Sequence, residues 1–410
     1  MEETLKDFNF FDPNIIEDPY GFFEIARREA PVYRLPDTDM FLVTRYDLVL
    51  EAVKRPEDFS NKFSRLLEGK QADDPEVRAI LEEGWPQVDT LLTNDPPEHK
   101  RFRALVNKAF TAKRVDQMEG YITEVVDRLI DSMVDKGECD FVADFAVPLP
   151  VTVIADQLGV PREDIPLVKE WSDAFADRLG GMISRERELE TARQVVDFQK
   201  YMCETIKDRR ANPKDDIVSD LVHAREEGER SLDDTELLNV IQQLLVAGNE
   251  TTTNALAGGM LLLLRHPDQM ERLREKPDFI ANMVEEVLRM ESPTAGMWRI
   301  VTRDTTLGGV PIPAGAKLFL RFDAANRDPE KFEDGERFNI ERRNAKTHLA
   351  FGQGIHFCVG AMLARKEMNV AFRQLLSRLK SITLQPGRND FLHHPNIMLR
   401  GLKHLYIQVA

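Results

Sequence analysis

The chain has 410 residues, 42% of them hydrophobic, enough to bury a large core, and its formal net charge of −16 disfavours nucleic acid as a partner, because phosphate binding needs a basic face. Its three cysteines, Cys139, Cys203 and Cys358, are odd in number and far apart, which argues against a disulfide framework and for a reducing compartment. The N-terminal Met1-Glu2-Glu3-Thr4-Leu5-Lys6 lacks the basic region and apolar core of a secretion signal, and the longest apolar run, 256–264, is too short for a bilayer span; a soluble cytoplasmic protein that makes no use of a membrane is expected.

In chain order, apolar residues at three-to-four spacing predict helices over 18–28, 46–54, 99–110, 115–134, 150–158 and 188–209. The runs 32–35 and 40–43 flank Pro36-Asp37-Thr38-Asp39 and predict a hairpin, with further strands at 300–301, 317–322 and 404–409. The strongest helix signal opens at Ser231-Leu232-Asp233-Asp234 and runs to Arg265, where His266-Pro267 stops it. At ~1.5 Å per residue such a helix spans about 46 Å, and it is apolar on nearly every side through Val240, Ile241, Leu244, Leu245 and Val246, so it should be central and buried. The result is a mainly α fold with a minor β-sheet region. No Pro/Gly/Ser-rich linker divides the chain, so one domain over 1–410 is expected, with a β-rich lobe at about 30–60 and 295–325 plus the C-terminal strands and a helical lobe at about 95–290 and 358–380.

Chemistry concentrates in four places. Phe351-Gly352-Gln353-Gly354-Ile355-His356-Phe357-Cys358-Val359-Gly360 sets one cysteine among glycines, just ahead of an amphipathic helix beginning at Ala361. The glycines permit positive φ and close backbone approach by a flat ligand, and a helix N-terminus favours the thiolate that binds metal. By itself such a cysteine is more often a small buried hydrophobe, and His356-x-Cys358 offers only two of the ligands a zinc site needs. Inside the central helix, Ala247-Gly248-Asn249-Glu250-Thr251-Thr252-Thr253 is an unfavourable choice of residues for a buried helix. Either the threonines bond back to carbonyls and bend it, or Ala247 and Gly248 leave room for a cofactor while Glu250 and Thr251 bring protons to an apolar site. Glu286 and Arg289 share a helix face at i,i+3, and a second arginine, Arg342 or Arg343, would complete a buried cluster bracing the cysteine loop. His99 and Arg103, four apart, could grip a pair of carboxylates, with Arg299 and His356 as further candidates.

In this order and spacing the motifs, together with Ala325-Asn326-Arg327-Asp328-Pro329 and Phe332, resemble the cytochrome P450 family of soluble bacterial heme-thiolate monooxygenases over essentially the whole chain. The resemblance implies the P450 fold, with its long central helix crossing a buried heme. It implies that Cys358 is the axial thiolate of heme b, with Phe351, Gly352, Gly360, Ala247 and Gly248 against the cofactor. His99, Arg103, Arg299 and His356 would bind the two propionates, and Glu250 with Thr251 would be the acid–alcohol pair that handles protons. Many relatives have aspartate where this chain has Glu250. Trp85, Val88, Leu91, Leu92, Leu244, Thr294, Ala295, Met297, Ile397 and Met398 would line the substrate pocket, while Glu286, Arg289 and Arg342 would be structural.

The implied reaction inserts one atom of O2 into a hydrophobic small molecule such as a terpenoid, steroid, fatty acid or aromatic compound. No Gly-x-Gly-x-x-Gly or ferredoxin-like cysteine set is present, so electrons are expected from a separate acidic ferredoxin with its NAD(P)H reductase. Lys100, Arg101, Lys108, Lys113, Arg114, Arg365 and Lys366 are its expected basic docking face on a monomer. A peroxide-driven peroxygenase and a non-enzymatic heme sensor are the competing readings.

Overall fold

Asp233 starts the central helix, Asp234–Arg265, through a reciprocal cap. The Glu236 amide donates to the Asp233 carboxylate at 2.9 Å, and the Asp233 amide donates to the Glu236 carboxylate at 3.1 Å. His266 ends it ahead of Pro267. The first half of this helix, with Leu237, Val240, Ile241 and Leu244, packs into one hydrophobic cluster, and the second half, from Ala255 to Leu263, packs into another. The small and polar stretch between the two halves is thereby left to face a cavity. Gly259 permits close packing behind it, since a Cβ there would meet the Phe372 ring at 2.8 Å and Val287 at 3.0 Å.

The computed structural model describes residues 4–68, 74–180 and 183–410. Predicted helices appear at Tyr20–Glu29, Tyr46–Val53, Glu98–Asn107, Pro148–Gln157 and Arg185–Ala211. The single helix expected over 115–134 is two, Ala112–Gln117 and Glu119–Lys136, the second closed by Gly137 at φ 72°. The helix Ile165–Gly180, over the distal side of the cavity, is an addition to the expected set, as are Pro75–Leu81 and Ile217–His223.

The hairpin pairs Val32–Arg34 with Met40–Val43, and Asp37 at φ 56° makes the turn. Met40–Val43 continues as a parallel neighbour of Lys317–Arg321, which pairs antiparallel with Gly296–Val301, itself edged by Phe59–Ser60. This five-stranded sheet carries Met297 and Arg299 to the cavity wall. The C-terminal Tyr406–Val409 is the middle strand of a second sheet, between Glu138–Asp140 and Ile382–Leu384. Among the described residues, no helix is long and apolar enough to cross a membrane.

Candidate active site

A cavity of about 640 Å³ lies between the cysteine loop and the central helix. Gly352 and Gly354, at φ 65° and 71°, turn the loop, and the Cys358 amide donates to the Phe351 carbonyl at 2.9 Å. The helix Ala361–Arg378 follows directly, with Gly360 as its cap. A Cβ at Gly360 would stand 4.0 Å from the Cys358 sulfur.

Here the structure corrects the expectation of a lowered thiol pKa. Burial raises it, and this outweighs the amides of Gly360 and Ala361 and the charges of Arg103 and Arg365, which all favour the anion. What remains open of Cys358 faces the cavity it lines. The sulfur is therefore suited to a bound cation, which takes up a thiolate and releases its proton.

His99, Arg103, Arg299 and His356 converge on the same cavity. The rings of His99 and His356 are 4.2 Å apart, and the buried Nε2 atom of each has no hydrogen-bond partner. Arg299 donates to the Trp298 carbonyl at 2.7 Å, and Arg103 to the Phe357 carbonyl at 2.6 Å. Burial pushes Arg299 down to about 10, with Asp95 as its opposing charge. It pushes His356 down to about 3, reinforced by His99, Arg299 and Arg103. Among the described residues none of the four makes an ion pair. Two imidazoles with orphaned Nε2 atoms and two arginines without ion pairs among the described residues line one cavity with a desolvated thiol, and form a receptor for a metal-centred group bearing carboxylates. The donor set fits heme.

On the central helix Ala247 and Gly248 both line the cavity, and a Cβ at Gly248 would meet Ile154, itself a lining residue, at 3.3 Å. The Thr251 hydroxyl donates to the Ala247 carbonyl at 2.8 Å, the back-bonded arrangement that bends helices. Glu250 turns toward the helix Ile165–Gly180, accepting from the Ser172 hydroxyl and the Asn249 amide, each at 3.3 Å. Burial raises its pKa against the opposing charge of Lys169. Among the described residues no hydrogen bond joins Glu250 to Thr251.

The buried arginine partner is Arg342, while Arg343 is exposed. Arg289 donates to Glu286 at 2.7 and 2.9 Å, and Arg342 donates to it at 3.0 Å. Both arginines also bind carbonyls of 326–337, among them Asn326 and Gly335, each at 2.7 Å. Glu285 reaches the cysteine loop more directly, and the sequence reading passed over it. It accepts from Arg365 at 2.6 Å and pairs with His348 Nε2 at 3.1 Å, which holds its carboxyl down at about 2. Arg365 in turn lies 4.5 Å over the Phe351 ring.

Of the expected pocket residues, Val88, Leu91, Leu92, Leu244, Thr294, Met297 and Met398 line the cavity. Trp85, Ala295 and Ile397 do not. Trp85 is tied by its backbone to Gln199, Ala295 bonds to the Met398 carbonyl at 2.8 Å, and the Ile397 carbonyl accepts from Arg321 at 2.8 Å. Phe110, Ile154, Phe175, Val246 and Leu179 are lining residues that the sequence reading missed.

Glu367 was also missed. Its buried Oε2 lacks a hydrogen-bond partner, and burial pushes the carboxyl up to about 8. The folded state then holds a proton that the unfolded chain releases near pH 4.5, so stability falls as pH rises from 4.5 to 8. Glu367→Gln is expected to stabilise the protein increasingly over that range, by on the order of 3 kcal/mol at pH 8 relative to pH 5. Urea unfolding at both pH values tests this, and an equal effect at the two would refute it.

Most cations of the expected basic docking face have acidic partners within the chain. Arg101 pairs with Glu236, Lys108 with Glu226 at 2.8 Å, Arg114 with Asp220 and Asp215, Arg365 with Glu285, and Lys366 with Glu119 and Asp116. Lys100 and Lys113 alone of the seven have no ion pair among the described residues. On either side of Cys358 in the chain, Ile355 and Met362 are exposed, while the exposed Phe357 lines the cavity.

The cytochrome P450 family model matches residues 170–407, more than half of the chain. The chain belongs to the cytochrome P450 family. A P450 of polyketide biosynthesis, PksS from Bacillus subtilis, is 36% identical over 96% of each chain, and the steroid C26-monooxygenase of Mycobacterium tuberculosis is 37% identical over 97% of this chain and 95% of that one. The structure of cytochrome P450 CREJ with (4-ethylphenyl) dihydrogen phosphate superposes with a TM-score of 0.91 at 30% identity, covering 99% of this chain and 100% of that one. This P450 is therefore an oxygen-incorporating oxidoreductase with a heme-iron cofactor and the mainly helical fold of its relatives.

Proposed function

We propose that this P450 hydroxylates a hydrophobic small molecule, with Cys358 as the thiolate ligand of heme b. The reading rests on one observation: a desolvated cysteine and four bases without ion pairs face a single, largely apolar cavity. A thiolate-ligated heme supplies dioxygen activation, favouring O–O cleavage over reversible oxygen binding.

The chain's own residues do the rest. His99, Arg103, Arg299 and His356 would hold the two propionates of the heme and so orient it in the cavity. The small Ala247 and Gly248 on the central helix would leave space for the cofactor. Glu250 is a proton carrier, since burial raises its pKa and Ser172 links it toward the outer helix. Thr251 would be a proton donor at the cavity wall, able to exchange its bond to the Ala247 carbonyl for one into the cavity. Leu91, Leu92, Leu244, Met297 and Met398 exclude water and position the substrate.

Relatives named for polyketide biosynthesis and for steroid oxidation, and one solved with an aryl phosphate, support a hydrophobic substrate of the terpenoid, steroid, fatty-acid or aromatic kind. Electrons come from a separate ferredoxin with its NAD(P)H reductase. The neutralised cations and the exposed Ile355 and Met362 favour a partly apolar docking surface over a strongly electrostatic one. The whole chain acts as one domain.

Thr251→Ala tests the assignment in a reconstituted system with NADH, reductase and ferredoxin. NADH consumption should continue while hydroxylated product falls about 100-fold and hydrogen peroxide appears in its place. Unchanged coupling, or equal turnover of the intact protein with peroxide alone, would remove the dioxygen reading.

A further inference from the structure

Between Gly84 and Asp95 the chain forms neither helix nor strand, and among the described residues no backbone–backbone hydrogen bond involves 85–94. Yet Val88, Leu91 and Leu92 of this strap wall the cavity. Backbone groups withdrawn from water need partners, and here side-chain amides of other elements supply them. Gln199, on the helix Arg185–Ala211, straddles Trp85, accepting from its amide at 2.9 Å and donating to its carbonyl at 3.0 Å. Gly84 makes room for this approach, since a Cβ there would collide with the Gln199 carbonyl oxygen. On the central helix, Asn239 accepts from the Val88 amide at 3.3 Å and donates to the Pro86 carbonyl at 3.1 Å. Gln243 accepts from the Leu92 amide at 3.2 Å and donates to the buried Thr90 hydroxyl at 2.5 Å. Asn61 closes the far end, donating to the Leu92 carbonyl at 3.2 Å.

Asn239 and Gln243 stand at i and i+4, and the same stripe continues through Ala247 to Thr251. All four line the cavity. At ~1.5 Å per residue, Gln243 lies about 12 Å and Asn239 about 18 Å from Thr251 along the axis. One face of one helix therefore carries both the anchors of the strap and the alcohol assigned to proton delivery. Asp89, the charged residue of the strap, is not among its anchors, and its buried Oδ1 has no hydrogen-bond partner. The anchors are amides, which do not titrate.

Resting on the heme-thiolate reading above, we infer that Asn239 and Gln243 are positioning residues for the substrate. They register the strap 85–94 against the helix that bears Thr251, and so fix the wall of Val88, Leu91 and Leu92 relative to the reacting end of the cavity. A substrate long enough to reach that wall is held by it, while a short ligand at the cysteine end is indifferent to it. A wall left unanchored would have to be ordered by each long ligand as it binds, at the expense of affinity.

The test uses the ferric holoprotein and three probes that ligate heme iron through nitrogen: imidazole, 4-phenylimidazole and 4-(biphenyl-4-yl)imidazole. The Asn239→Leu/Gln243→Met variant keeps side-chain size and loses the amides. Its imidazole affinity should stay within about twofold of wild type, the biphenyl probe should bind about tenfold more weakly, and the phenyl probe should fall between. Gln243→Glu keeps an acceptor for the Leu92 amide and the Thr90 hydroxyl, and should retain most of the wild-type affinity for the longest probe. Hydrogen exchange on the same holoproteins reads the clamp directly. Amides of 85–94 should exchange about tenfold faster in the double variant, with the central-helix segment 255–263 protected as in wild type. Where the double variant does not fold, each single substitution should show part of both effects. A biphenyl probe bound as tightly as in wild type or more tightly, all three probes weakened alike, or unchanged exchange over 85–94 would overturn the inference. A wild-type ferrous–CO spectrum without the thiolate signature would instead remove the heme-thiolate reading, a failure separate from any change in exchange or in length preference.

Discussion

Glu286→Ala is expected to yield little or no folded, heme-loaded protein. Glu286, Arg289 and Arg342 are all buried, and the Glu286 carboxylate is the counter-charge to both arginines at 2.7 to 3.0 Å. It also accepts the Asn339 amide at 3.0 Å. Removing it leaves two guanidiniums facing each other in a site that water cannot enter, and breaking such a buried pair costs about 3–5 kcal/mol. A domain's whole stability is about 5–15 kcal/mol. The arginines also hold the carbonyls of 326–337, and Asn326 accepts the Leu349 amide at 2.7 Å just before the cysteine loop, so damage at Glu286 reaches Cys358 through that segment. Arg343→Ala, one residue from the cluster but exposed, should change stability by no more than about 0.5 kcal/mol. Urea midpoints and heme content of the two variants decide the matter, and near-equal values would remove the structural role assigned to the cluster.

Local signals made much of the fold legible. The central helix announced itself by the Ser231-Leu232-Asp233-Asp234 cap signal, an apolar run and His266-Pro267, all within one segment, and the helix runs Asp234–Arg265. The hairpin at Pro36–Asp39 was equally local. Other features depend on contacts the sequence does not display. Spacing allowed Arg342 or Arg343, and only burial against Glu286 separates them. Glu285 stands one position from the motif glutamate, but its partners His348 and Arg365 are 63 and 80 residues away. The basic cluster near residue 100 looked free because its acids are distant, as with Arg101 and Glu236, 135 residues apart. Trp85, Ala295 and Ile397 lie in segments without helical periodicity, where nothing in the sequence tells which way a side chain turns.

The cysteine loop illustrates both outcomes. Its glycines and following helix were readable, and Gly352 and Gly354 adopt the positive φ they were suited for. The thiol pKa was misjudged, because helix amides could be inferred from sequence whereas the surrounding desolvation could not. A thiol held neutral by burial until it meets a cation is consistent with a ligand whose proton leaves as the metal binds.

Cys358→Ser is the second large effect, and it bears on the central claim most directly. Serine keeps the size and the Phe351 loop contact but not the soft, electron-donating sulfur. The four basic groups are untouched by the change, so heme should still be retained in part. The decisive measurement is the ferrous–CO absorption spectrum of the two proteins side by side. The wild-type protein should show the strongly red-shifted Soret band of a thiolate-ligated heme, and Cys358→Ser should lack it and lose monooxygenase turnover. A red-shifted band that survives in Cys358→Ser, or is absent from the wild-type protein at full heme loading, would contradict the assignment of Cys358 as the iron ligand.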